Sequence, residues 1–196
     1  MKTVLTLAFG LMMSIVAAQE SKTQIVPKEI QIKTAVLPAP EEKKGGAMVY
    51  GYDPQGNFVV LREGTNNLVC IADNPNQDGI NVACYSDQLE PFMNRGRELG
   101  AKGMDAKEKF DIRGAEVAAG KLKMPKDPSM LYIYSGDEEG YDKTTGELKN
   151  GKFRYVIYIP FATTESTGLP DKPHAPGMPW LMDPGTYRAH IMIGPN

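Results

Sequence analysis

The last 23 residues, HAPGMPWLMDPGTYRAHIMIGPN (174–196), gather both histidines of the chain, its single tryptophan and three of its methionines. Three kinds of chemistry fit these residue types. His174, Met178, Met182, His190 and Met192 offer imidazole and thioether donors, the set that suits copper in its reduced state. Methionine also fills gaps in cores, no methionine ligand repeat occurs, and Arg188 lies two residues from His190, where on one strand face it would repel a cation. Metal is therefore an alternative reading and no cofactor is expected.

An anion site is the second kind. Alternation along YRAHIMI (187–193) sets Arg188, His190 and Met192 on one face, and along FRYVIYIP (153–160) it sets Arg154, Val156 and Tyr158 on one face. If the two strands share a sheet, Arg154, Tyr158, Arg188 and His190 line a half-polar surface with Trp180 over it. Arginine forks match carboxylates and phosphates. The plainer reading of the same pattern is the solvated face of an antiparallel sheet.

Hydrolysis is the third. Ser166 or Thr167, His174 or His190, and Asp183 are the residue types of a nucleophile, a base and an orienting group. Neither a G-x-S-x-G elbow nor an S-x-x-K motif accompanies them. The expectation is accordingly a non-enzymatic binding or interaction protein for a small anionic ligand or an envelope partner. A hydrolase using His190 and a copper-binding protein are the alternatives.

The N-terminus sets the compartment. Residues 1–18, MKTVLTLAFGLMMSIVAA, run from a basic start at Lys2 through an apolar core to Ala17 and Ala18, the layout of a secretory signal peptide cut before Gln19. Its apolar run is shorter than the roughly 20 residues of a membrane-spanning helix, and no later run reaches that length. The product is expected to be soluble, in the periplasm or outside the cell. With 22 Lys and Arg against 24 Asp and Glu, the chain lacks the basic excess of a nucleic-acid binder.

Cys70 and Cys84 are the only cysteines, and an exported pair normally oxidises. NNLVCIAD (66–73) and INVACYS (80–86) read as two strands around the turn NPNQDG, which places the cysteines opposite each other. A disulfide closing a loop of this length stabilises by about 3 kcal/mol in the chain-entropy account.

These residues need a scaffold. Residues 19–46 read as an N-terminal arm or linker and 47–196 as a single α+β domain. AMVYGYD (47–53) and FVVLREG (58–64) around DPQGN make a hairpin, which with the cysteine hairpin suggests a four-stranded antiparallel meander. Two helices follow, over 87–103 and 105–121, each opened by an Asp with Glu three residues on. Strands at 130–136 and 153–161 flank a polar hairpin. The segment 162–186, with five prolines, is long for a loop inside a domain and is expected to pack over the sheet.

The stretches LREGTNNLVC (61–70) and PWLMDPGTYRAHIMI (179–193) resemble segments of exported bacterial proteins of unassigned function. That resemblance spans Gly51 to Ile193 and implies export and one domain. It assigns no site residue.

Overall fold

The computed structural model describes residues 25–195. The signal peptide read at 1–18 and the beginning of the arm lie outside the described residues. The fold is α+β, with an eight-stranded, mostly antiparallel sheet.

The chain enters through α1 (Lys28–Ala35), started after Pro27, and the single turn α2 (Glu41–Lys44) after Pro40. The segment expected as an arm or linker lies against the sheet. Gln31, Thr34, Ala35 and Ala39 are buried, and Ala35 and Ala39 share a core cluster with Val49, Leu61, Cys70 and Cys84.

β1 (Met48–Tyr52) and β2 (Phe58–Arg62) form the expected hairpin, with Asp53 Oδ1 accepting the Gln55 and Asn57 amides at 2.9 Å in its turn. β3 (Leu68–Ile71) and β4 (Ile80–Ser86) form the second, with Cys70 directly opposite Cys84 and the two joined by a disulfide.

The four strands are not a meander. β3 runs parallel to β1 on the side away from β2, which becomes an edge. The cause lies in the connection: the Thr65 and Asn66 amides donate to the Gly46 carbonyl at 2.8 and 3.1 Å, carrying the chain past the start of β1 to its far side.

A short 3₁₀ turn leads into α3 (Glu90–Ala101), which is followed by α4 (Ala106–Ala118). The second capping box forms, between Asp105 and Glu108. The first does not, because the Glu90 carboxylate takes Tyr85 and Arg97 as partners instead.

β5 (Ser129–Gly136), the small hairpin β6 (Tyr141–Asp142) and β7 (Glu147–Leu148), and β8 (Lys152–Tyr158) come next. After the turn α5 (Thr164–Thr167), the Pro-rich segment contributes a strand of its own, β9 (Trp180–Met182), at the far edge beside β10 (His190–Ile193).

The two faces of the sheet carry different cores. On one, α3 and α4 bury Val69, Tyr85, Leu131, Val156 and Tyr158 with Leu89 and Phe92. On the other, α1 covers only the half around the disulfide. The remaining half of that face shows Phe153 and Tyr155 to solvent, their rings stacked 5.9 Å apart.

Candidate functional site

A small, partly enclosed cavity lies beyond the carboxyl ends of the parallel strands β1 and β3. Its walls come from the stretch before α1 (Ile25, Val26), from Tyr52 at the end of β1, from the β3–β4 connection (Ala72, Asp73, Pro75, Gln77, Ile80) and from Glu138, Tyr141 and Lys143. Its volume of about 50 Å³ holds about three or four waters, or one small chemical group.

Gln31 builds one side. Its Nε2 donates to the carbonyls of Val26 and Tyr52 at 2.9 and 2.8 Å, and its Oε1 accepts the Tyr52 amide at 2.9 Å, pinning α1 to the end of β1. Thr34 builds another, its hydroxyl standing 3.0 Å from that of Tyr141 and holding the β6–β7 hairpin against α1. Both polar side chains are buried and satisfied, so the walls are fixed.

Three charged residues line it, Asp73, Glu138 and Lys143. Asp73 Oδ1 accepts the Asn81 amide at 2.7 Å. Burial pushes its carboxyl up to about 6; the Asn81 and Asn74 amides oppose the rise and nearby Glu138 adds to it. Tyr52 and Tyr141 are raised as well, first by burial, with the Asp73 charge contributing to both. Among the described residues neither Asp73 nor Glu138 forms an ion pair. The result is a partly desolvated carboxylate in a recess that Tyr52 and Tyr141 also line.

The C-terminal residues separate into several places. β8 and β10 do share the sheet, with His190 opposite Tyr158 and the ring centroids 5.0 Å apart. Their common face is the one beneath the helices, however, and both side chains are buried. The His190 Nδ1 meets the Arg188 carbonyl at 2.7 Å, so in the neutral ring Nδ1 carries the proton, and burial holds the imidazole below its usual range.

Arg188 is not on the strand. The Ala189 amide donates to Thr186, closing a turn that starts the alternation only at His190. The Arg188 Nε donates to Asp183 Oδ2 at 2.7 Å, and its guanidinium lies 4.8 Å from the Phe110 ring centroid. Arg154 is exposed and four residues from Tyr158 along β8, about 13 Å at the usual strand rise. Arg154 and Arg188 therefore do not converge under Trp180.

Trp180 joins His174 and Met178 around an open pocket of about 400 Å³ in the Pro-rich segment. Met182 stands opposite His190 and Met192 opposite Trp180 on the sheet. No group of three or more His, Cys, Asp or Glu residues suited to a metal occurs among the described residues. Ser166 and Thr163 cap the turn α5 reciprocally.

Comparison with family models, curated proteins and solved structures gives no match.

The Asp73 cleft carries little signal in the sequence. Asp73 sits at the start of a turn-rich stretch where aspartate is ordinary, and the tyrosines that flank it are 21 and 68 positions away.

Proposed function

We propose that this protein is an exported, non-enzymatic binding protein whose small ligand occupies the Asp73 cleft. One observation carries the reading: a carboxylate that forms no ion pair among the described residues is held partly out of water in a recess also lined by Tyr52 and Tyr141, whose walls are fixed by satisfied buried polar groups. Convergent polar groups in an apolar concavity, with a perturbed ionisation, are the marks of a ligand site.

Export is supported by the signal-peptide layout of residues 1–18 and by the buried Cys70–Cys84 disulfide, which suits an oxidising compartment. No helix among the described residues is long and apolar enough to cross a membrane.

The other readings have less support. A hydrolase based on His190 would need a nucleophile beside it, whereas the ring is buried and bonds to a backbone carbonyl. Copper would find His174 and Met178 at one pocket, with His190 on a separate part of the sheet. The anion surface would need the two arginines together.

The test is a thermal melt of the oxidised protein against amines, alcohols, sugar acids, phosphates and copper, with Asp73→Asn and His174→Ala alongside. A ligand that binds the native state raises the midpoint by mass action. A shift lost in Asp73→Asn and kept in His174→Ala is expected. A shift lost only in His174→Ala would move the site to the C-terminal pocket and overturn the proposal.

A further inference from the structure

Among the described residues, negative charges facing the cleft outnumber positive ones. Asp73, from the β3–β4 connection, and Glu138, from the 3₁₀ turn after β5, are carboxylates, and Lys143, from the β6–β7 turn, is the cation among the lining residues. Lys143 forms no ion pair with either carboxylate. An anion entering the cleft would meet this excess of negative charge, and the Asn81 amide is already bonded to Asp73.

A neutral guest would take water from the Asp73 carboxylate without returning a charge, which is costly. A guest cation returns both a charge and hydrogen-bond donors. Tyr52 and Tyr141 line the same space, and aromatic side chains attract cations. Ile25, Val26 and Ile80 offer an apolar wall to a short stem, while the volume of about 50 Å³ limits the head to a few heavy atoms.

Resting on the reading of this cleft as the ligand site, we infer that it selects small organic monocations, an ammonium head on a short apolar stem, over neutral or anionic molecules of the same size. Cation and proton then compete for Asp73. With its carboxyl pushed up to about 6, binding weakens as pH falls through that value. Among the described residues, the other titratable groups that line the cleft with Asp73 are Tyr52 of β1, Tyr141 of β6, Glu138 and Lys143. Burial raises both tyrosines, which therefore stay neutral over this pH range.

The experiment is a titration of the oxidised, ¹⁵N-labelled protein with n-butylamine, n-butanol and butyrate, following the Asn74 and Asn81 amides. At about pH 7.5 butylamine is expected to move them at a concentration about tenfold below that of butanol, with butyrate leaving them in place. That preference should collapse at about pH 4.5, and also in Asp73→Asn, which keeps an acceptor for the Asn81 amide. The pH comparison needs no variant.

If butanol or butyrate moves these amides as readily as butylamine, the selection is overturned while the cleft stands as a ligand site. If no probe moves them, both are overturned. A preference for butylamine that survives protonation of Asp73 assigns the selectivity to another group and also overturns the inference.

Discussion

The hydroxyls of Thr34 and Tyr141 stand 3.0 Å apart although 107 positions separate them in the chain. The Thr34 oxygen also lies 2.9 Å from the Ile30 carbonyl and 3.1 Å from that of Gly146. Gly146, at φ 73°, comes so close that a Cβ there would lie 2.8 Å from the Thr34 oxygen. One buried hydroxyl thus ties α1 to the β6–β7 hairpin and fixes the Tyr141 wall of the cleft.

Thr34→Val keeps the side-chain shape and removes that hydroxyl. Leaving buried partners short of a hydrogen bond should cost about 1–3 kcal/mol in urea unfolding. Hydrogen exchange should quicken across residues 137–151 more than in β5. Unchanged stability would mean that the hairpin is held by other contacts.

Asp73 should make the protein less stable as pH rises. Its folded carboxyl is raised to about 6, above an unfolded value of about 4, so between these values the native state binds more protons. The stability that comes with the protonated form is complete below about pH 4 and is lost as pH climbs through about 6. Asp73→Asn should therefore be the more stable protein at neutral pH, by about 1 kcal/mol after allowing for solvent screening, and lose that advantage below about pH 4. Denaturant midpoints for both proteins across this range measure it. An advantage that grows in acid would contradict the assignment.

Arg97 couples α3 to the edge of the sheet. Its Nη1 donates to the Tyr85 hydroxyl at 2.9 Å and its Nη2 to Glu90 at 2.5 Å. The guanidinium also lies 5.3 and 5.4 Å from the Tyr50 and Phe58 ring centroids. Arg97→Ala leaves Glu90 and Tyr85 without their cation and should cost about 1–3 kcal/mol. Arg97→Lys restores the charge and not the planar fork or the stacking, so it should recover less than half of the loss. Full recovery by lysine would reduce the role of Arg97 to simple charge.

The Cys70–Cys84 disulfide is inaccessible to solvent and lies under α1. Reduction should cost about 2–4 kcal/mol. Dithiothreitol, followed by mass after alkylation, should reduce it at the rate at which the native state opens, independent of thiol concentration at high thiol. A rate that keeps rising with thiol would indicate direct access to the bond.

Local chemistry was legible in the sequence. The turn at Asp53–Asn57, the opposition of Cys70 and Cys84, the two helices and the Asp105–Glu108 capping box each depend on residues a few positions apart, and each formed as read. The alternation of β8 also holds, separating Val156 and Tyr158 from Phe153 and Tyr155. The capping box expected at Asp87 and Glu90 did not form, because Arg97 and Tyr85 compete for the same carboxylate.

By itself the sequence determined the α+β class, the disulfide and the place of most elements, since periodicity, turn residues and cysteine spacing act over short distances. Tertiary structure alone decided that β3 passes to the far side of β1, that α1 belongs to the core, and that His190 faces the helices while Arg188 turns to Asp183. It also assembled Gln31, Thr34, Tyr52, Asp73 and Tyr141 around one cleft. Those outcomes depend on which distant surfaces meet, and on the burial of polar groups whose partners lie far away in the chain, a pairing that local pattern does not encode.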